Sequence, residues 1–152
     1  MKVIFLDIDG VLNSAQSAIY HNFRTDPIES QFDVLCPISL ALLQYIVEQT
    51  KSKIVISSTW RKYQSFDDLV NFFKKYNIDV VGKTPILNTV RGLEIKHWLE
   101  KHPKVNDFII LDDDSDMDEY TQTDHFIKTS HQVGLSYFEA IKIINKFNKK
   151  KS

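Results

Sequence analysis

The chain has 152 residues, of which 43% are hydrophobic, and 19 Lys and Arg against 20 Asp and Glu give a formal net charge of −1. These values fit one soluble domain over residues 1–152, and they exclude a disordered tail, a collagen-like fibre and a two-domain enzyme. The near-neutral charge provides no general attraction to nucleic acid or to an anionic membrane. Cys36 is the single cysteine, so we expect a reducing, cytoplasmic location. We expect no membrane association and no obligate protein partner.

Short apolar runs recur along the chain and predict buried strands. They are continuous rather than alternating in polarity, which is typical of parallel strands that are covered on both faces. The runs are Val3–Leu6, Ile54–Ile56, Val80–Val81, Phe108–Leu111 and Phe126–Ile127.

Segments with helical spacing of apolar residues lie between these runs. They are predicted from Pro37 onward, after the capping box Ser65-x-x-Asp68, around Ile95, Trp98 and Leu99, and after Ser136-x-x-Glu139, where Phe138, Ile141, Ile144 and Phe147 are expected to face the core. The alternation predicts an α/β domain with one doubly wound, Rossmann-like parallel sheet of about five strands, helices on both faces and no large cap domain. Residues 13–36 lack a periodic pattern and are expected to form a flap over the site.

Acidic and hydroxyl residues directly follow three of the predicted strands. Asp7 and Asp9 come after the first strand, and Ser57 comes after the second. The fourth strand is followed by an acidic run, which contains Asp112, Asp113, Asp114 and Asp116. In open α/β sheets, ligands bind beyond the carboxyl ends of the strands, so we expect these side chains to meet at one edge. Arg91 precedes the third predicted helix and is expected at the same edge.

Converging carboxylates need a compensating cation. Two carboxylates about 4 Å apart repel each other by about 4 kcal/mol at an effective dielectric of 20. Ligation by carboxylate oxygens indicates Mg²⁺, which keeps several waters and takes one or two protein carboxylates together with a substrate phosphate. The five histidines are scattered along the sequence, which argues against a zinc site.

The same residues can supply each part of a phosphoryl-transfer site. Asp7 is the predicted nucleophile, which would form an aspartyl-phosphate, and Asp9 is the predicted acid and base for the leaving oxygen and the attacking water. Ser57 is predicted to donate a hydrogen bond to the phosphoryl group, and Arg91 to balance its charge. These roles predict a phosphohydrolase. A phospho-receiver domain also combines acidic, hydroxyl and basic residues on an α/β sheet, but the chain order of these residues fits it poorly.

The motifs resemble those of the haloacid dehalogenase (HAD) superfamily. Asp7-x-Asp9-Gly10-Val11-Leu12-Asn13 resembles its first motif, Ser57 its second, Arg91 or Lys83 its third, and Asp112-Asp113 its fourth. The stretches Ser57-Ser58-Thr59-Trp60-Arg61 and Gly82-Lys83-Thr84-Pro85 look like the HAD domain of bacterial multifunctional RNA-repair proteins and, more distantly, polynucleotide 3′-phosphatases.

The resemblance implies a set of site residues. The metal ligands would be Asp7, the backbone carbonyl of Asp9, and an acidic residue of the fourth motif, for which Asp112 and Asp113 are the candidates and Asp114 and Asp116 stay open. Substrate contacts are expected from Asn13, Ser58, Arg61 and Lys83, whereas Trp60 is expected to pack between helices rather than to stack on a base. An Asp at position 9 favours a phosphatase over a dehalogenase.

The missing cap domain implies an open site for bulky substrates. We therefore expect a phosphorylated substrate, with a polynucleotide end as the first choice. The alternatives are a small phosphate ester or nucleotide and, in another class, a HAD-like module that only binds its ligand. The near-neutral composition weighs against an extended nucleic-acid contact, but recognition of one or two terminal nucleotides needs fewer basic residues.

Overall fold

The computed structural model describes residues 1–115 and 124–149. Five strands are present at the predicted places. They are β1 (Lys2–Leu6), β2 (Lys53–Ile56), β3 (Val80–Lys83), β4 (Asp107–Asp112) and β5 (Phe126–Lys128). The helices are α1 (Ala15–Phe23), α2 (Pro37–Thr50), α3 (Trp60–Tyr63), α4 (Phe66–Lys74), α5 (Arg91–Glu100) and α6 (Tyr137–Lys149), with a 3₁₀ helix at Gln31–Val34. Within the described ranges, no helix has the length and apolar content needed to cross a membrane.

The five strands form one parallel sheet in the order β3-β2-β1-β4-β5. This arrangement confirms the predicted α/β fold with a doubly wound sheet. The chain moves outward from β1 through β2 to β3 and then crosses back to β4 on the other side of β1. Strand order therefore reverses beside β1, and this is the position at which open α/β sheets bind ligands.

Each face of the sheet is covered by a separate set of apolar side chains. Ile4 and Leu6 of β1 pack with residues from α2, α4 and α6 in the larger core. Val3 and Phe5 face the other side, where they pack with Trp98 of α5. Burial on both faces explains why the strands are continuous apolar runs in the sequence.

Residues 13–36 contain more regular structure than their sequence pattern indicates. Helix α1 begins after Ser14, whose hydroxyl accepts a hydrogen bond from the backbone N–H of Ser17 at 3.0 Å. The buried residues of α1 are polar, namely Ser17 and His21, and a search for apolar periodicity therefore misses this helix. The expectation that the segment acts as a flap stays a prediction.

The prediction for the inward face of the last helix was wrong in part. Phe138 is 76% exposed, whereas Ala140, Ile143 and Phe147 are buried. The buried positions follow the spacing i, i+3 and i+7, which forms one helical stripe. Phe138 precedes Ala140 by two residues and therefore points about 200° away from it around the helix axis. Ile144 lies beside the buried stripe and is partly buried.

Candidate active site

The carboxyl ends of β2, β1 and β4 place three predicted residues next to one another. The backbone N–H of Asp7 donates to the carbonyl of Leu111, and that of Ser57 donates to the carbonyl of Leu6, each at 3.0 Å. These bonds continue the strand pairing by one residue beyond the strands. Ser57, Asp7 and Asp112 therefore occupy neighbouring positions in three adjacent strands.

The three side chains project from the face of the sheet that α5 covers. Leu6 packs in the core on the opposite face, and Phe5 packs against α5. Because successive side chains of a strand alternate between faces, Asp7 lies on the α5 side. The strand register places Ser57 and Asp112 on that side as well.

Arg91, the first residue of α5, contacts both buried carboxylates. Its Nη1 lies 3.3 Å from Asp7 Oδ1 and 2.5 Å from Asp112 Oδ2. The Arg91 side chain is 14% exposed and the Asp112 side chain is fully buried. One guanidinium therefore faces two buried carboxyl groups in a largely dry environment, and ionisation of both would leave a net negative charge at the site.

The acidic cluster has the donor set of a divalent-cation site. One carboxylate oxygen from each of Asp7, Asp112 and Asp113 can be chosen so that all three lie within 4.8 Å of one another. Burial, with the charge of Asp112 adding to it, raises the pKa of Asp7 to about 9. Burial also raises the pKa of Asp112, although Arg91 opposes this shift. Oxygen-only ligands, whose ionised form a bound cation would favour, fit Mg²⁺, which prefers carboxylate and water oxygens.

The turn after β1 approaches Asp113 so closely that position 10 requires glycine. Gly10 has a φ of +81°, and a Cβ atom added there would lie 2.1 Å from Asp113 Oδ2. The carbonyl of Gly10 accepts a hydrogen bond from the hydroxyl of Thr129 at 2.7 Å, which ties the turn to the residue after β5. The turn therefore holds the backbone of residues 9 and 10 beside the acidic cluster.

Asp9 is exposed, and two neighbours fix its carboxylate. Its Oδ1 accepts hydrogen bonds from Asn13 Nδ2 at 2.8 Å and from Trp60 Nε1 at 3.0 Å. The other end of the Asn13 amide accepts from the backbone N–H of Gly10 at 2.9 Å. Both ends of this amide are thus engaged within the protein and orient Asp9, and the expected substrate contact of Asn13 stays a prediction. The expected packing of Trp60 is present, since its side chain is buried.

The hydroxyl of Ser57 is a buried hydrogen-bonding group next to Asp7 that the described residues leave unused. Ser57 is completely buried, and its Oγ has no hydrogen-bond partner within residues 1–115 and 124–149. Buried polar atoms are nearly always paired, so an unpartnered hydroxyl beside Asp7 calls for an explanation. A phosphoryl oxygen at this place would accept its hydrogen bond.

The side chains of Arg61 and Ser58, from which substrate contacts are expected, are engaged within the protein. The Arg61 side chain is 3% exposed and pairs with Glu94 at 3.0 Å. Its remaining donors reach backbone carbonyls, namely those of Ser57, Ser58, Thr84 and Pro85. Ser58 is fully buried, and its hydroxyl accepts from the backbone N–H of Trp60 at 3.2 Å. Both residues therefore hold the loop that follows β2, because their polar atoms are used within the protein.

The geometry distinguishes between the two candidates for the basic residue of the site. Lys83 is paired in register with Ile56, whose side chain packs in the core opposite α5. Its ammonium lies 6.0 Å from the ring centre of Phe66. Arg91, by contrast, contacts Asp7, and its assignment to the third motif stays a prediction.

The aspartates at the end of β4 and directly after it also differ in their positions relative to the site. Asp112 and Asp113 belong to the cluster. Asp114 is exposed, and its backbone N–H donates to Asp112 Oδ1 at 2.9 Å. Asp116 lies outside the described residues.

A comparison with protein-family models identifies the family to which the chain belongs. Residues 3–140 match the model described as the HAD domain in Swiss Army Knife RNA repair proteins. The chain belongs to this family. No curated protein and no solved structure matches this chain. Family membership supports a HAD-type phosphohydrolase in general terms and agrees with the acidic cluster.

Sequence reasoning missed several residues that support the site of this HAD domain. Glu94 neutralises Arg61, Trp60 orients Asp9, and Thr129 anchors the turn at Gly10. Each of them contacts a residue that is distant in the chain. Trp60 and Glu94 gave a signal, since each lies within a stretch that resembles the HAD domain of RNA-repair proteins, the first after Ser57 and the second after Arg91.

Proposed function

We propose that this HAD domain is a magnesium-dependent phosphatase that acts through an aspartyl-phosphate and removes phosphate from a polynucleotide end. The proposal rests on one observation above all, the position of Asp7. This carboxylate lies between the unpartnered hydroxyl of Ser57 and the carboxylate of Asp112, with Arg91 against both acids. The proposed nucleophile, a hydroxyl that can donate a hydrogen bond to the phosphoryl group, and a cation site therefore lie next to one another.

The residues of the proposed metal site are Asp7, Asp112 and Asp113, together with the backbone carbonyl of Asp9. When bound, Mg²⁺ would supply positive charge that keeps Asp7 ionised and balances the substrate phosphate. Arg91 contributes a fixed positive charge on the α5 side. Ser57 would donate to an equatorial phosphoryl oxygen, which satisfies its otherwise unpartnered hydroxyl.

In the first step, a carboxylate oxygen of Asp7 forms a bond to phosphorus while the bond between phosphorus and the leaving oxygen breaks. Asp9 gives its proton to that leaving oxygen. Asn13 and Trp60 both bind Oδ1 of Asp9, and Oδ2 has no hydrogen bond to the described residues. The proton can therefore be carried on Oδ2, on a carboxyl group whose orientation is fixed.

In the second step, Asp9 removes a proton from a water molecule. The water oxygen attacks the phosphorus atom of the aspartyl-phosphate, and the bond from phosphorus to Asp7 breaks. Inorganic phosphate leaves, Asp7 returns as a carboxylate, and Asp9 is again protonated. Each residue is thus regenerated after one turnover.

Exposed lysines at the same edge of the sheet favour a polyanionic substrate. Lys128 ends β5 and is paired in register with Asp112. Lys62 lies in α3 directly after the loop that carries Ser57, and Lys83 ends β3. All three are exposed, and ammonium groups in such positions can contact backbone phosphates next to the terminal one.

The proposed chemistry can be tested with a generic aryl phosphate in the presence of Mg²⁺. We expect turnover by the wild type that EDTA abolishes, and a fall of at least about 1,000-fold in kcat for Asp7→Asn. Asp67→Asn is the matched control, because Asp67 is an exposed carboxylate in α4. Equal inactivity of the wild type and Asp7→Asn, with intact folding, would favour a binding module.

The proposed substrate class needs a separate comparison. Phosphate release from 3′-phosphorylated oligonucleotides should exceed release from nucleotides and sugar phosphates when values of kcat/KM are compared. A preference for small esters, with Asp7-dependent turnover intact, would remove the polynucleotide assignment and retain the phosphatase.

A further inference from the structure

A second hydroxyl lies next to Ser57 in the sheet. The backbone N–H of Thr84 donates to the carbonyl of Ile56 at 3.0 Å, so the pairing of Ile56 with Lys83 continues for one more residue. Thr84 is therefore the neighbour of Ser57 on the side away from Asp7. Like Ser57, it projects toward α5, because the preceding pair faces the opposite core.

Thr84 shares with Ser57 an unsatisfied buried hydroxyl. It is 2% exposed, and its Oγ1 has no hydrogen-bond partner in the described part of the chain. Such groups are rare because burying a hydroxyl without a bond destabilises the folded protein. Two of them in adjacent register positions indicate that they are satisfied together in another state.

The main chain at Thr84 is held without the help of this hydroxyl. Its carbonyl accepts from Arg61 Nε at 3.1 Å, and its N–H belongs to the ladder with β2. Thr50 is the opposite case, since it is equally buried at 2% exposure and its hydroxyl donates to the carbonyl of Ile46 at 2.7 Å. An internal hydrogen bond therefore explains the buried hydroxyl of Thr50, whereas no such bond explains the buried hydroxyl of Thr84.

We propose that Thr84 is a positioning residue that donates a hydrogen bond to Ser57 Oγ when Ser57 donates to a phosphoryl oxygen. This inference rests on the proposed function. A hydroxyl has one proton to donate and two lone pairs, so Ser57 can donate to the substrate and accept from Thr84 at the same time. The chain of two hydroxyls then strengthens the bond to the phosphoryl group, because each hydrogen bond polarises the next.

The spacing of the sheet favours this indirect role over direct substrate contact. Neighbouring strands are about 4.8 Å apart, and Thr84 is two strands away from Asp7. Ser57 occupies the strand between them. The phosphoryl group bound at Asp7 is thus adjacent to Ser57, and Thr84 reaches it through Ser57.

The test uses Thr84→Val, which removes the hydroxyl and keeps the branched shape, and Thr84→Ser, which keeps a hydroxyl. We expect Thr84→Val to lower kcat/KM for an aryl phosphate about three- to tenfold and to weaken binding of inorganic phosphate in Mg²⁺ by a similar factor. Thr84→Ser should restore both values. Thermal melting in EDTA should show an equal or higher Tm for Thr84→Val, since an unsatisfied hydroxyl is lost.

A double-mutant cycle with Ser57→Ala separates a role through Ser57 from an independent one. Thr84→Val should have no further effect on phosphate binding or kcat/KM once Ser57 is Ala. The matched control Thr50→Val should lower the Tm and leave phosphate affinity unchanged.

Three results would overturn the inference: unchanged kinetics and phosphate binding in Thr84→Val, the same loss in the Ser57→Ala background, or a fall in Tm like that of Thr50→Val. Failure of the proposed function is seen separately, as a wild type without Asp7-dependent turnover or phosphate binding. In that case the positioning role fails with it.

Discussion

Arg61 illustrates how one side chain can organise a site without contacting a ligand. Its guanidinium donates to the carbonyls of Ser57 and Thr84, which follow β2 and β3, and to the carboxylate of Glu94. The planar, forked arrangement of its donors suits several fixed acceptors at once. The position of Ser57 relative to β3 therefore depends on a buried ion pair.

We predict that Glu94→Gln destabilises the protein by about 3 kcal/mol, because it leaves a buried guanidinium without its counter-charge. The free energy of unfolding should be measured by urea denaturation. Asp79→Asn is the control, since it breaks the exposed pair of Lys53 and Asp79, and its effect should stay within about 1 kcal/mol. Equal effects of the two substitutions would show that the Arg61 pair has no special weight.

The chemistry-bearing residues of the site were predictable because they directly follow buried strands. Asp7, Ser57 and Asp112 are in this group, and the strand register places them together. Arg61 also follows a strand, yet its donors turn back to the main chain. The direction of a long side chain depends on which acceptors surround it, and position in the sequence does not reveal them.

At the scale of elements, the strands were predictable and helix α1 was not. A strand buried on both faces produces a continuous apolar run, whereas α1 buries mainly Ser17 and His21. The start of α5 was also difficult to predict from the sequence. Its N-cap residue, Val90, makes no side-chain capping bond, so the usual polar signal of a helix start is absent although Arg91 begins it.

Lys128, at the carboxyl end of β5, is expected to contribute to the salt dependence of KM for a polynucleotide substrate. We expect Lys128→Gln to raise KM for a 3′-phosphorylated oligonucleotide and to leave aryl phosphate hydrolysis unchanged. The slope of log KM against log salt concentration should become shallower by about 0.7, the value for one lost contact with a single-stranded phosphate.

Lys104→Gln is the matched control for this prediction. Lys104 is exposed and precedes β4, so it lies at the opposite edge of the sheet. The substitution should change neither KM nor its salt dependence. An equal loss of salt dependence in both variants would indicate general charge attraction instead of a contact at this edge.

At the scale of the whole molecule, the acidic cluster links stability to pH. The folded, metal-free protein raises the pKa of Asp7 from 3.8 to about 9. Between these values the folded state keeps a proton that the unfolded state releases, so the free energy of unfolding falls as pH rises through this window. Asp112 adds in the same direction, since its pKa is also raised.

We therefore predict that the Tm in EDTA is lower at pH 8 than at pH 6, and that Mg²⁺ reduces this difference. Asp7→Asn should raise the Tm at pH 8 and remove most of the pH dependence, because Asn carries no proton equilibrium. Thermal melting of both proteins with and without Mg²⁺ measures this. A wild-type Tm in EDTA that rises from pH 6 to pH 8 would contradict a raised pKa of Asp7 in the folded, metal-free protein.

The order of the strands brings the site residues together, and no local sequence pattern encodes this order. Alternation of apolar runs and helices predicts a parallel sheet, but it does not say that β3 lies next to β2 and that β4 lies on the other side of β1. The neighbourhood of Thr84 and Ser57 follows from that order. For this reason the sequence alone gave no indication that Thr84 lies beside Ser57.

The continuation of the ladder beyond the strands has a consequence for amide hydrogen exchange. The N–H groups of Asp7, Ser57 and Thr84 are bonded to carbonyls of the central sheet, so they can exchange with deuterium only when the sheet itself opens. These three amides should rank among the slowest in the domain. Asp7, the proposed nucleophile, and its hydroxyl neighbours are thus attached to the most persistent part of the backbone, and we expect adaptation to substrate to occur in side chains and in the segment between β1 and α2.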